Sequence, residues 1–179
     1  DCIKDAKTPI LNIALPVAAA GMEFICSLKP DKMLVRIAEL VSFAKEKCER
    51  VEFTALDATR AEKEFLCKAV GEAIKAGADT VTLCDDAGVA DAEEFGEFVK
   101  YVIANADGAE GVNINVDISD AINMSTACFL EAVKNGAVGI KTTVGDYGYS
   151  EIEKIAAFIS VKGEKMDVTT GIKNATLKN

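Results

Sequence analysis

The residues that could do chemistry fall in short clusters, each placed just after an apolar run: Asp57-Ala58-Thr59-Arg60, Asp85-Asp86, and Asp117-Ile118-Ser119-Asp120. Carboxylates there could move a proton, pair with a cation or hold a hard metal ion. Asp57 and Arg60 are the candidate catalytic pair, with Thr59 beside them. Asp117 and Asp120, with Asp85 and Asp86 on the preceding strand, form an acidic group able to offer oxygen ligands to Mg2+ or Ca2+. Each cluster also has a plain structural reading. The aspartates could be helix caps or solvated loop residues, and Arg60 could be no more than a partner for Asp57.

Histidine is absent from the 179 residues, which excludes a Ser/His/Asp or Cys/His relay and any imidazole metal ligand. The six cysteines (Cys2, Cys26, Cys48, Cys67, Cys84 and Cys128) show no CxxC spacing, and several lie on apolar stripes. They read as buried free thiols in a reducing, cytoplasmic setting. A net charge of −9 and a pI near 4.6 argue against nucleic acid or an anionic membrane surface as partner. The run around Ile10 to Met22 is broken by Asn12 and Pro16 and is too short to span a bilayer.

The elements that must position these clusters follow one grammar. An apolar strand ends in polar residues and hands over to an amphipathic helix. Strands are expected at Ile10 to Val17, from Val51 through Phe53, at Thr80 to Leu83, at Val112 to Val116 and at Gly139 to Val144. Helices are expected at Pro30 to Cys48, Ala61 to Ala76, Asp91 to Asn105, Ala121 to Asn135 and Ser150 to Ile159. Pro30 suits a first helical turn, Gly77 a helix C-terminus and Asp91 an N-cap. Ala18 to Gly21 reads as a small-residue loop. Residues 1–9 read as the end of a preceding helix, and 162–179 as a tail with a short helical piece. With no composition break, the 179 residues form a single domain of five β/α units, and right-handed crossovers make the sheet parallel.

VEFTALDATR, followed by CDDAG and AEEFGEF, resembles the isopropylmalate, homocitrate and citramalate synthases. GMEF before KPDK and the later KNGAVGIKTT extend the likeness over about Ile10 to Thr143. The resemblance implies a TIM barrel that condenses an acyl-CoA with a 2-keto acid on a divalent metal. The five units then correspond to barrel strands four to eight, and strands one to three, with the family's metal-binding aspartate and arginine, have no counterpart here. The alternative architecture is an open, doubly wound parallel sheet.

The departures fall on functional positions. Gly21-Met22-Glu23-Phe24 stands where the family has HMEY, after Val17-Ala18 in place of Thr-Ser. Leu56 replaces a glutamate before Asp57. Asp85-Asp86-Ala87-Gly88 stands for Asp-Thr-x-Gly, so that Asp86 meets the place of a substrate carboxylate, and Thr59, Asp85 and Asp86 become the candidate substrate-binding residues. The HxH metal pair is Asp117-Ile118-Ser119, and the glycine-rich GERAGN loop is Gly145-Asp146-Tyr147-Gly148, more suited to a turn than to an anion site.

Chelation of the keto acid would lose its protein nitrogens, so the chain as given reads as a catalytically inactive, structural or regulatory pseudoenzyme. Two alternatives stay open. One is a divergent condensing or cleaving enzyme; the other is a module binding a small cationic or neutral metabolite at the acidic mouth. No cofactor is implied beyond that divalent cation. Five strands cannot close the barrel, and Ile13, Leu15, Val51, Phe53, Val81, Leu83, Ile114 and Val116 belong to strands that look apolar on both sides. An exposed apolar inner face is therefore expected, with a second copy or the missing part of the protein covering it.

Overall fold

The structure is a computed structural model that describes residues 5–173 and Leu177. Five strands, β1 (Ile10–Pro16), β2 (Arg50–Leu56), β3 (Thr80–Asp85), β4 (Asn113–Ile118) and β5 (Gly139–Lys141), form one parallel sheet in sequential order. The sequential order excludes the doubly wound arrangement, which needs a reversal of strand order. With right-handed crossovers it sends every connecting helix to the same face.

Alternation along the strands agrees. Val51 and Phe53 on β2, Val81 and Leu83 on β3, and Ile114 and Val116 on β4 are all essentially buried. The register joins them laterally, Phe53 to Val81 and Leu83 to Val116, so they line one face beneath the helices. Their neighbours Asn12, Glu52, Thr54, Thr80, Thr82, Asn115 and Asp117 line the other face, together with Lys141 of β5. This corrects the expected exposed apolar face. The strands are apolar toward the helices and polar on the face without them, a pattern hidden by the buried threonines Thr54 and Thr82.

The helix layer consists of α2 (Pro30–Lys45), α3 (Lys63–Lys75), α4 (Ala92–Asn105), α5 (Ser125–Lys134) and α6 (Ile152–Lys162), preceded by the short α1 (Ala19–Phe24). Pro30 occupies the first turn of α2, which buries Met33, Ile37, Val41 and Ala44 at helical spacing. A reciprocal capping box starts α4. Asp91 Oδ1 accepts from the Glu94 amide at 2.9 Å and Glu94 Oε2 from the Asp91 amide at 3.1 Å. Gly96 lets α4 lie close to α5, since a Cβ there would stand 2.8 Å from Asn135 Nδ2 and 2.9 Å from Glu131 Cβ.

Three local expectations change. Ala18 to Gly21 is not a loop, because Ala19 opens α1, which packs Met22 into the core. Residues 5–9 are turn and bend rather than helix, and residues 1–4 lie outside the described residues. β5 stops at Lys141, with Thr143 joined to Glu151 only by an isolated bridge. Beyond α6 a 3-10 turn spans Gly163–Met166, in the tail where a short helical piece was expected.

Phe53 is, with Phe95, the largest fully buried side chain among the described residues, and it stands at the centre of the helix-facing side of β2. Phe53→Ala is expected to cost about 3–5 kcal/mol in urea unfolding, whereas Val35→Ala, at an exposed position, changes stability by no more than about 0.5 kcal/mol.

Candidate functional site

The carboxyl ends of β2 and β3 carry one continuous polar cluster. Asp57 leaves β2 in the left-handed conformation with φ 59°, and the 3-10 turn Ala58–Arg60 follows at once. That turn folds Arg60 back so that its Nε donates to Asp57 Oδ1 at 2.6 Å. The Asp57 amide donates to Asp86 Oδ2 at 2.5 Å, and Thr59 Oγ1 donates to Asp85 Oδ1 at 2.7 Å. Asp57, Thr59, Arg60, Asp85 and Asp86 are thus brought together, as their positions in the sequence suggested.

Electrostatics separate the roles within the cluster. The Asp57 carboxylate holds the Arg60 guanidinium above its usual range, but the Arg60 side chain remains 62% exposed and so belongs to the surface. Burial pushes Asp86 above the ordinary carboxylate range, helped by the neighbouring charges of Asp57 and Asp85, while the Asp57 amide pulls the other way. Asp85 is 1% exposed and points to the helix side of the sheet, like Val81 and Leu83 four and two residues earlier.

A second polar system, unseen in the sequence, covers the helix-free face. Lys141 Nζ lies 2.8 Å from Glu52 Oε1 and donates to Thr54 Oγ1 at 3.0 Å. Thr82 Oγ1 donates to the same Glu52 oxygen at 2.6 Å, and Thr54 Oγ1 to Asn12 Oδ1 at 2.8 Å. Four strands are tied together by these contacts. Burial alone would raise the Glu52 pKa, but the hydrogen bonds from Lys141, Thr82 and Thr54 and the ammonium charge bring it below the usual value. Asp117 lies in the same field. Its burial raises its pKa, the charges of Asp86 and Glu52 add to that, and Lys141 opposes them.

The contact from β5 to β2 reports the shape of the sheet. Following the register from Lys141 through Asp117 and Cys84 leads one step past Ala55, to Leu56, whereas the actual partner is Glu52, four residues back along β2. Strands in a closed parallel barrel are tilted so that the register slips by roughly one residue per strand, or about three over three strands. A sheet curved and sheared as in such a barrel therefore brings Lys141 and Glu52 to similar height on its concave side. A flat sheet would hold them apart.

The third cluster is not assembled as a metal site. Ser119 Oγ donates to the Gly148 carbonyl at 3.2 Å, and Asp120 Oδ1 accepts from the Ser125 amide at 2.9 Å, at the start of α5. Asp117 and Asp120 thus serve different surroundings, the first on the concave face and the second near a helix start. Gly88, with φ 61°, packs against Ser119, where a Cβ would stand 2.5 Å from the Ser119 carbonyl oxygen. In the loop 145–148 the amides that could cradle an anion are taken by carboxylates, Gly145 N–H by Glu153 at 3.2 Å and Gly148 N–H by Asp146 at 3.2 Å. Among the described residues, no group of three or more Cys, Asp or Glu side chains is placed to hold a metal ion. The divalent metal implied by the resemblance does not fit these donors, because Glu52 is paired with the ammonium of Lys141, whose charge also acts on Asp117, and among the described residues no third donor joins the two carboxylates. Cys84, also on that face, is an unreactive thiol whose pKa is pushed up by burial and by the carboxylates around it.

A family model described as HMGL-like matches residues 2–178. The chain belongs to the HMGL-like family. It is 31% identical over 182 residues to a 2-isopropylmalate synthase of Lysinibacillus sphaericus, covering 99% of this chain and 36% of the relative. To a chloroplastic methylthioalkylmalate synthase of Eutrema japonicum it is 36% identical over 149 residues, covering 83% of this chain and 29% of the relative. The chain therefore spans about a third of the length of these curated relatives. A hydroxymethylglutaryl-CoA lyase from Pseudomonas aeruginosa superposes with a TM-score of 0.76 at 14% identity, over 94% of this chain and 59% of that one. That likeness shows the fold, a partial α/β barrel. No helix among the described residues is long and apolar enough to cross a membrane.

Among the described residues the Thr59 hydroxyl is the one hydrogen-bond donor to the Asp85 carboxylate, whose Oδ2 is buried without a partner. Thr59→Val leaves both oxygens unsatisfied and is expected to cost about 1–3 kcal/mol, measured by urea unfolding. The exposed Arg60→Ala should leave the unfolding midpoint essentially where it is.

Proposed function

We propose that this chain supplies β/α units four to eight of an isopropylmalate synthase-like barrel and does not itself catalyse condensation of an acyl-CoA with a 2-keto acid, acting instead as a structural or regulatory pseudoenzyme. The observation that carries the reading is the ion pair of Lys141 with Glu52 on the concave face. Metal-assisted condensation needs a Lewis acid that polarises the keto group. Here a fixed ammonium occupies the carboxylate-bearing face, Ser119 is bound to the Gly148 carbonyl, and Asp120 is committed to an amide at the start of α5. In this reading the concave face is interior surface. It is covered by three further parallel strands, from the rest of the same protein or from a second copy, which would also pair the free edges of β1 and β5.

A second reading rests on the cluster at the ends of β2 and β3. Asp57, Thr59, Arg60, Asp85 and Asp86 stand where a TIM barrel places its chemistry, and a divergent condensing or cleaving enzyme would use them. Release of free coenzyme A from acetyl-CoA with a panel of 2-keto acids separates the two. The pseudoenzyme reading predicts no release above the protein-free rate. Turnover that disappears in Asp57→Ala would establish the enzyme instead.

A further inference from the structure

The helices follow the order of the strands on one side of the sheet, so α3 stands between α2 and α4. These three helices and the loop at 107–108 border an open groove of 1080 Å3. Its floor is the outer side of α3, because Glu64, Lys68, Gly71 and Lys75 line it at helical spacing, opposite the buried Leu66, Ala69, Val70 and Ala73. Gly71 leaves the middle of that floor without a side chain. Leu34, Val35 and Ala38 of α2 make one wall, with Val35 53% exposed, and Tyr101 of α4 makes the other. Walls two helix spacings apart, roughly 16–20 Å, admit one further helix of about 10–12 Å diameter between them.

The rim carries the charge. Asp31, Glu39, Glu64, Glu72 and Asp107 are met in the groove by Lys68 and Lys75, so five carboxylates against two ammoniums leave a formal excess of three negative charges. The ion pairs there are long and exposed, Glu39 with Arg36 and Glu72 with Lys75, each at 3.8 Å, and such pairs exchange readily for better ones.

Apolar walls and an acidic rim together select the occupant. The groove is larger than clefts for small molecules, roughly 300–1,000 Å3, and its walls suit the apolar stripe of an amphipathic helix. Its carboxylates call for lysine or arginine beside that stripe. They repel nucleic acid, an anionic membrane and a second copy of this chain with its net charge of −9.

We infer that this groove docks a cationic amphipathic helix of another polypeptide. The apolar stripe of that helix lies over Gly71 between Val35 and Tyr101, and its basic residues reach Glu39, Glu64 and Glu72. The groove is on the outside of the helix layer, so it stays open whether or not further strands close the barrel, and it is independent of the reading of the concave face.

The test titrates isotope-labelled protein with a synthetic peptide of about four helical turns, leucine on one face and lysine on the other. The amides of Val35, Ala38, Gly71 and Glu72 should shift along one saturating curve, with an affinity that falls as salt rises. A peptide of the same composition with its leucines scattered around the helix, and one with glutamate in place of lysine, should each bind at least about fivefold more weakly. Val35→Arg, and Glu39→Lys combined with Glu64→Lys, change exposed side chains and should each weaken the binding of the first peptide by at least about fivefold, with circular dichroism verifying the fold. Shifts scattered over the surface, equal binding of either control peptide, or a smaller loss in either folded variant would overturn the inference. Should a variant fail to fold, the comparison of the three peptides on the unaltered protein decides. Self-association of the unaltered protein that Val35→Arg abolishes would assign the groove to a second copy and overturn it as well.

Discussion

The structure depends on a single crossing, from Lys141 on the last strand to Glu52 on the second. The two residues are three strands apart in the sheet and four residues out of register, and they meet because the strands are tilted and the sheet is curved. Thr54, Thr82 and Asn12 extend the contact to β1 and β3. Charges this close to a sheet surface are tolerable only with such partners, since desolvation would otherwise raise the Glu52 pKa and leave an ammonium unpaired.

The crossing also assigns the two faces. Beneath the helices the sheet is packed with Val51, Phe53, Val81, Leu83, Ile114 and Val116, all close to zero exposure. On the concave side it is polar and internally hydrogen-bonded, as the inside of a larger barrel is when its side chains fill the lumen. Membership of the HMGL-like family, together with a length that covers 59% of a lyase barrel, fits a sheet built for closure. The same polarity explains why the donors at the carboxyl ends do not assemble around a metal. Glu52 is bound to an ammonium, Asp86 and Asp120 accept from amides, and one oxygen of Asp85 accepts from a hydroxyl group of this chain.

Much of the fold was legible because helix starts and strand alternation are written locally. Pro30, the Asp91–Glu94 box and the positive φ of Gly77, 112°, mark their termini by backbone chemistry that needs no tertiary context. The pairing of Asp57 with Arg60 was legible for the same reason, as both lie on one tight turn. The contact of Lys141 with Glu52 was not, because 89 residues separate them and only shear brings them level. A signal did exist. Polar residues recur at every second position, Asn12, Glu52 and Thr54, Thr80 and Thr82, Asn115 and Asp117, inside strands that otherwise read as apolar. α1 was hidden for another reason, since Ala19 to Gly21 are small residues whose helical state is fixed by the burial of Met22.

A double-mutant cycle between Glu52→Gln and Lys141→Met, read by urea unfolding, tests the account most directly. If the pair ties a curved sheet together, the two changes should be non-additive, with a coupling energy of at least about 1 kcal/mol. Strict additivity would mean that the residues do not meet in solution, and would contradict the barrel-like curvature on which the reading of the concave face rests.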